Sequence, residues 1–246
     1  MSSKTPQTVA EAIAKLVHVR ARTNLSIKRT LDNWAFKQIW ADKKRGYLIN
    51  AQKFNLSAHV DIGPDLSASK FVISRCGGSV RNEHGKWIGR VRDLPPDYSK
   101  SFHCTAVNAS RSGLLTEGID NFAGLEHLQS LDLSENPELD DFACDQLGRQ
   151  FRTSKALTEI NLSENPRISI YGLEVLFRIP SIKKIVAIGT AAAEHEEIDL
   201  FTLAAEDERS CEVYVHKDGS RYKLPELEEL RRSSPDEPKR LSATQY

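Results

Sequence analysis

The sequence predicts an α/β fold in which a short stack of repeats alternates parallel strands with helical returns. Three observations lead to this prediction. The pentapeptide LSENP occurs at residues 133–137 and again at 162–166. Each copy ends a stretch in which apolar and polar residues alternate, and each is followed by a segment with helical periodicity. A structural unit that occurs more than once along the chain accounts for all three.

Both copies fit the template L-x-x-L-x-L-x-x-N, which is typical of leucine-rich repeats. They span residues 128–136 and 157–165. In a short strand, alternate apolar side chains point inward, and the Asn that follows can bond backbone groups that the turn leaves unpaired. We therefore predict a repeat scaffold made of the inward and turn positions. Its residues are Leu131, Leu133, Asn136, Ile160, Leu162 and Asn165.

Weaker copies of the template flank these two. Residues 102–110 fit it with Thr105 and Val107 as inward positions, and residues 182–190 follow the second copy. A last apolar strand at 211–215 would close the stack as a half-repeat. The sequence thus predicts a short leucine-rich-repeat solenoid of four to five repeats. Its ends need caps, because each repeat buries its apolar face only against its neighbours.

The region before the repeats is predicted to form an N-terminal helical and hairpin cap. Residues 30–54 have helical periodicity, and residues 79–90 have the pattern of a small hairpin. We expect an aromatic stripe of the first segment to pack against the cap. This stripe consists of Trp34, Phe36, Ile39 and Trp40.

Four segments are therefore predicted along the chain. They are a transit-peptide-like segment (1–29), the helix and hairpin cap (30–100), the leucine-rich-repeat domain (101–217) and a disordered charged tail (218–246). The tail is rich in Pro, Ser and charge and has too few apolar residues to bury a core.

Charge and hydropathy exclude several classes of partner. Lys plus Arg and Asp plus Glu each number 34, so no global field points to nucleic acid or acidic lipid. No apolar run approaches the about 20 residues of a spanning helix, so any membrane association is expected to go through a partner protein. Residues 1–30 contain six basic residues and one acid, Glu11. Such a basic, hydroxyl-rich start is typical of a mitochondrial transit peptide, although an ordinary surface helix is the alternative.

The outward strand positions predict a concave partner-binding face, because repeat solenoids present such a surface. Its outward columns begin at Cys104, Ala106 and Asn108 in the first copy. The columns contain no aromatic or Arg anchor of the kind that dominates binding. We therefore expect modest affinity there, or contact through the helical segment 30–54. The predicted contact residues are Ser130, Asp132, Ser134, Glu159, Asn161, Ser163, Lys184, Val186 and Ile188.

No motif in the sequence assembles a catalytic site. Neither a P-loop, a Rossmann glycine motif, a nucleophile elbow nor an HExxH zinc motif occurs. The spacing of Cys76, Cys104, Cys144 and Cys211 matches no zinc template, and we expect reduced thiols in or near the core. We predict a non-enzymatic binding protein, and no motif implies a cofactor.

A longer series of motifs carries a family resemblance. The segments DIGPDLSASKFVISRCGGSV, LQSLDLSENPELDDFACDQL, LTEINLSENPRIS and CEV occur in this order. They resemble the mitochondrial family that contains ATP synthase coupling factor B (subunit s) and distal membrane-arm assembly complex protein 2. The resemblance covers roughly residues 30–218. Its motif series and the long charged tail are closer to the assembly protein.

This resemblance implies a scaffold or assembly factor for the membrane arm of respiratory complex I. Such a protein would lie peripherally on the matrix side of the mitochondrial inner membrane and would bind protein subunits of that complex, with no nucleic acid. The sister branch implies an alternative, a factor B-like coupling subunit of the mitochondrial ATP synthase. A leucine-rich-repeat adaptor of a ubiquitin ligase is a second alternative, although the segment 30–54 is too short for the F-box that precedes many such arrays.

The resemblance also implies a magnesium ion held by backbone carbonyl groups. In this sequence the matching positions are Asp61, Gly63 and Pro95. The GPD turn matches the family pattern, whereas DLPPD departs from it after the first proline. We therefore expect no cofactor, and Mg²⁺ at these carbonyl groups is the alternative that the resemblance implies.

Overall fold

The computed structural model describes residues 25–221, and the chain divides into two units between Ala51 and Gln52. The predicted transit-like segment and charged tail lie almost wholly outside the described residues. The other predicted domain boundaries stay predictions.

The first unit contributes one long helix, α1 (Leu25–Gln52), whose last residue belongs to the second unit. Ile39 and Trp40, which were predicted to pack in an aromatic stripe, are 58% and 59% exposed. The prediction is wrong for these two residues, since both are more than half exposed. No helix between residues 25 and 221 combines the length and apolar character needed to cross a bilayer.

The second unit begins with a buried glutamine. The side chain of Gln52 donates from Nε2 to the carbonyl oxygen of Gly113 at 2.9 Å, and its Oε1 accepts from the Leu115 N–H at 2.8 Å. Its main-chain oxygen accepts from Asn121 Nδ2 at 2.8 Å. These bonds attach the start of the second unit to the loop that follows its first parallel strand.

Helices and 3₁₀ turns alternate with strands in the second unit. Asn55 caps the first of these helices, because its Oδ1 accepts from the Ala58 N–H at 3.1 Å, and Pro64 begins the next. The helices are α2 (Leu56–Ile62), α3 (Pro64–Arg75), α4 (Asp141–Gln150), α5 (Ile170–Leu176) and α6 (Ile198–Arg209), with 3₁₀ turns at Val91–Asp93, Thr116–Phe122 and Ala191–Glu194.

The strands form one seven-stranded sheet in the order β2-β1-β3-β4-β5-β6-β7. β1 and β2 form the predicted hairpin, and β1 continues antiparallel onto β3. From β3 to β7 all neighbours are parallel and follow chain order, which confirms the mixed α/β class with a mostly parallel sheet. The strands are β1 (Ser79–Asn82), β2 (Trp87–Ile88), β3 (Cys104–Asn108), β4 (Ser130–Asp132), β5 (Glu159–Asn161), β6 (Lys184–Val186) and β7 (Glu212–Tyr214).

The register corrects the predicted frame of the first repeat by two residues. Val107, not Thr105, lies opposite Leu131. Thr105 instead donates from its hydroxyl to the carbonyl oxygens of β1, and Cys104, predicted to face outward, is fully buried. Because strand alternation has a period of two, a shift of two residues preserves the pattern and the sequence could not distinguish the two frames.

The inward side chains form a continuous apolar layer across the sheet. One row of this layer crosses six strands, and each of its members is at most 1% exposed. The row consists of Val80, Val107, Leu131, Ile160, Ile185 and Val213. The four cysteines are free and buried, as predicted, and burial raises the pKa of Cys76, Cys104 and Cys211 to about 12.

A left-handed residue lies three positions after each of four strands. These residues are Arg111 (φ 54°), Glu135 (φ 57°), Glu164 (φ 58°) and Gly189 (φ 72°). The N–H groups of the first three donate to carbonyl oxygens of the following turn at 2.7–3.1 Å. The turns therefore share one backbone conformation, although three of them use side chains for which it costs about 1–2 kcal/mol.

Asn136 holds two adjacent turns together from a fully buried position. Its Oδ1 accepts from the N–H groups of Ser112 and Leu114 at 3.1 and 2.9 Å. Its Nδ2 donates to the carbonyl oxygens of Ala109 and Leu133 at 2.9 and 3.0 Å. The side chain therefore satisfies groups of its own turn and of the preceding one.

Asn165 repeats this arrangement one turn later. Its Oδ1 accepts from the Asn136 N–H at 2.7 Å, and its Nδ2 donates to the carbonyl oxygens of Leu133 and Leu162 at 3.0 and 2.9 Å. The two amides thus form a ladder across three successive turns.

Replacing either amide should destabilise the protein. We expect Asn136→Ala and Asn165→Ala each to lower the free energy of unfolding by about 1–3 kcal/mol, because buried backbone groups lose their partners. Asn136→Ala should cost more, since its side chain bonds more groups. Urea unfolding measures both changes, with the exposed Asn50→Ala in α1 as a control expected within about 0.5 kcal/mol of the wild type. Equal midpoints in all four proteins would contradict the ladder.

Candidate binding surfaces

One face of the sheet is covered by helices and core, and the other, the open face, carries half-buried side chains in two rows. The first row consists of Arg81, Ala106, Ser130, Glu159, Lys184 and Glu212. The second row consists of Asn108, Asp132, Asn161, Val186 and Tyr214. Six of the nine predicted contact residues therefore lie on adjacent strands of this face. Only Ala106 within these rows is buried.

The other three predicted contact residues follow the strand ends, and two of them have a structural bond. Asp132 Oδ1 accepts from the Ser134 N–H at 3.0 Å and from its hydroxyl at 2.7 Å. Asn161 binds Ser163 in the same way, at 3.1 and 2.8 Å. Both hydroxyl groups therefore donate a hydrogen bond within their own turn, which stabilises the turn. Ile188 replaces the serine in the next turn and ends this series.

Charges alternate along the first row. Lys184 Nζ lies 2.7 Å from Glu159 Oε1, and this carboxylate raises the pKa of the lysine. Arg221 lies 3.3 Å from Glu212 and 2.7 Å from Glu206. The row therefore presents paired charges rather than a field of one sign.

An aromatic side chain with a cation stands at each end of the open face. Trp87 is 50% exposed, and the Arg81 guanidinium lies 5.9 Å from its ring centre. At the other end, the centre of the Tyr214 ring lies 5.7 Å from Lys184 Nζ and 6.0 Å from the Arg221 guanidinium. The predicted columns from β3 to β6 contain no aromatic or Arg residue, but the open face extends beyond them on both sides. The hairpin adds Arg81 and Trp87 at one edge, and β7 adds Tyr214 at the other.

A separate cleft of about 240 Å³ lies beside α3. Asp65 lies in its wall, and one carboxylate oxygen accepts from the Cys104 N–H at 2.8 Å. The rings of His103 and His127 are 4.0 Å apart, and His103 Nδ1 is buried without a hydrogen bond, 3.9 Å from Asp65. Burial raises the pKa of Asp65, while the bond from Cys104 and the two histidines oppose this rise.

One of the three predicted magnesium positions lies in the wall of this cleft. It is Gly63, whose carbonyl oxygen accepts from the Ser67 N–H at 3.0 Å. Lys70 Nζ lies 3.2 Å from the carbonyl oxygen of Pro96, so a cation already contacts the loop of Pro95. The side-chain carboxylate of Asp61, as distinct from its main-chain carbonyl group, accepts from the hydroxyl of Ser57 at 3.2 Å. Across residues 25–221, no group of three or more His, Cys, Asp or Glu side chains is arranged to hold a metal ion. The carbonyl site stays a prediction.

Known proteins with similar sequences test the predicted resemblance. No protein-family profile matches the chain. ATP synthase subunit s, mitochondrial, is 27% identical over 124 residues in Mus musculus, covering 50% of this chain and 62% of the relative. Distal membrane arm assembly component 2 of Drosophila melanogaster is 22% identical over 175 residues, covering 70% of this chain and 60% of the relative. This chain has homologues in both branches of the resembled family.

These homologies are distant and partial. The human subunit s is 27% identical over 128 residues, which is 63% of its length, so each of these matches spans less than two thirds of the relative. Among solved structures, leiomodin-1 actin-binding site 2 matches with a TM-score of 0.40 at 13% identity over 52% of this chain and 76% of that chain. The Caenorhabditis elegans tropomodulin C-terminal domain gives 0.36 at 17% identity over 48% and 69%. Neither structural similarity is close enough to support a statement on fold or function.

The carboxylate of Asp65 should matter for stability in a pH-dependent way. Asp65→Ala should lower the free energy of unfolding by about 1–3 kcal/mol, because the buried Cys104 N–H loses its acceptor. Asp65→Asn keeps an oxygen acceptor for this N–H and should avoid that loss.

The pH dependence follows from the raised pKa. Because the folded protein binds this proton more tightly than the unfolded chain, the Asp65 contribution to stability falls as pH rises from 3.8 through the folded-state pKa. Asp65→Asn should lack that fall. Urea unfolding from pH about 4 to about 7 tests the point, and parallel stability curves for the two proteins would refute a raised pKa.

Proposed function

We propose that this protein is a non-enzymatic mitochondrial assembly factor for the membrane arm of respiratory complex I. It would lie peripherally on the matrix side of the inner membrane and bind protein subunits of that complex. The observation that carries the proposal is the homology to distal membrane arm assembly component 2, which extends over 70% of the chain. The homology to subunit s is confined to about half of the chain.

A coupling subunit of the mitochondrial ATP synthase, similar to factor B, is the second candidate. The higher identity of 27% to subunit s favours it. Both candidates are accessory proteins that act by binding, and they differ in the complex they serve.

We interpret the parallel stack as a short leucine-rich-repeat solenoid with a helix and hairpin cap. Three features support this interpretation: the common register of β4 to β7, the Asn ladder, and the left-handed residue after each of four strands. Such solenoids bind partners through the sheet face, which here is the open face.

The open face suits a protein partner with mixed charge. Trp87 with Arg81, and Tyr214 with Arg221, supply the aromatic and Arg groups that dominate many interfaces. Between them lie alternating charges and the polar groups of Asp132, with Asn108 and Asn161 on either side of it in the row. The two ends would supply most of the affinity, and the charges between them the specificity.

Truncating the two aromatic ends should weaken partner binding. We expect Trp87→Ala and Tyr214→Ala each to reduce affinity for isolated membrane-arm subassemblies about tenfold or more, since each removes about 1–2 kcal/mol of contact. Tyr171→Ala, which removes an aromatic that is 68% exposed on α5, is the matched control. Affinity lost in the control but kept in the other two would place the partner on the helical side.

Depletion separates the two candidate complexes. Cells without the protein should lose membrane-arm subassemblies of complex I while coupling by the ATP synthase stays intact, and the wild-type chain should restore them. Native electrophoresis and measurement of ATP synthesis give the two readouts. Normal complex I assembly with failed coupling would replace the proposal by the second candidate.

A further inference from the structure

The second half of α1 carries exposed apolar side chains that the open face does not explain. Ile39, Trp40 and Tyr47 are 58%, 59% and 69% exposed. Trp40 and Tyr47 are seven residues apart, so they lie on one side of the helix, two turns from each other. This pair of exposed aromatic side chains on one helical side is a candidate interaction surface.

This part of α1 is also basic. Residues 37–47 contain four basic residues and one acid, whereas the whole chain has equal numbers of both. The charged residues are Lys37, Asp42, Lys43, Lys44 and Arg45, and all are exposed. Lys44 Nζ lies 5.9 Å from the centre of the Trp40 ring. Positive charge is therefore concentrated around the aromatic pair.

The order of these side chains distinguishes a lipid surface from a protein groove. A helix that docks in an apolar groove presents apolar residues at positions i, i+3, i+4 and i+7. Here those positions are Trp40, Lys43, Lys44 and Tyr47. An apolar groove would have to bury two ammonium groups, which is costly. At a bilayer surface, the ammonium groups reach lipid phosphates while the rings lie at headgroup level.

We propose that residues 37–51 of α1 bind the surface of an anionic phospholipid bilayer directly. The helix lies in the plane of the membrane, with Trp40 and Tyr47 in the headgroup layer and Lys43 and Lys44 on lipid phosphates. This goes beyond the proposed function, in which association with the membrane depends on protein partners. It also departs from the expectation drawn from the balanced charge of the whole chain, because the relevant charge is local.

Vesicle flotation with the full chain tests the proposal. The protein should float with vesicles of phosphatidylcholine and phosphatidylglycerol and not with vesicles of phosphatidylcholine alone. Lys43→Gln with Lys44→Gln should weaken binding roughly 30-fold, since each basic residue near an anionic surface is worth about fivefold. Trp40→Ser with Tyr47→Ser should abolish flotation, and added salt should weaken wild-type binding.

Matched controls carry the same substitutions elsewhere. Tyr171→Ser and Lys183→Gln change an exposed aromatic and an exposed lysine on the second unit, and both should bind as the wild type does. Circular dichroism establishes that each variant is folded. With Trp34→Phe and Trp87→Phe, the remaining Trp40 should show a blue shift of its fluorescence when anionic vesicles are added.

Two results would overturn the proposal. One is wild-type protein that does not float with anionic vesicles, and the other is flotation that the α1 substitutions leave unchanged. Neither result affects the proposed assembly role, which the Trp87 and Tyr214 substitutions and the depletion experiment test separately.

Discussion

The sheet depends on hydrogen-bond partners for the backbone N–H and C=O groups at its strand ends. The parallel strands β4 to β7 each have three residues, so much of the backbone lies in turns that no strand can pair. Asn136 and Asn165 bond these turn groups with buried amides, and each amide reaches the preceding turn. These bonds join neighbouring turns, so they help to fix the spacing of β3, β4 and β5, and with it the side chains that these strands place on the open face.

The sequence predicted the parts of this architecture that have a local pattern. LSENP identified both amides, and the alternation of Leu131 and Ile160 with polar neighbours identified the inward side. The frame of β3 was missed, because Thr105 and Val107 have the same parity and both are acceptable in a strand. Val107 lies opposite Leu131 because its fully apolar side chain continues the buried layer. The Thr105 hydroxyl instead donates to carbonyl oxygens of β1.

The candidate sites depended on pairings that leave no local trace. Trp87 belongs to a hairpin, and its place beside the repeats follows from the antiparallel contact of β1 with β3. In the same way, Asp65 contacts Cys104, which lies 39 residues later in the chain. His103, which precedes β3, contacts His127, which precedes the neighbouring strand β4. The exposure of Trp40 could not be predicted, because the sequence does not show which helical faces the protein buries. The sequence predicted that the protein acts by binding, whereas locating the binding surfaces required the structure.

The strand order also has a consequence for association between copies of the chain. Within residues 25–221, the sheet ends at β2, which has two residues, and at β7, which has three. Edges this short offer few unpaired backbone groups to a foreign strand. If the chain were cut before β7, the new edge would be β6, where Lys183 precedes and Lys184 begins the strand. Lysine side chains at an edge discourage strand addition, so β6 would also be a poor template for a foreign strand.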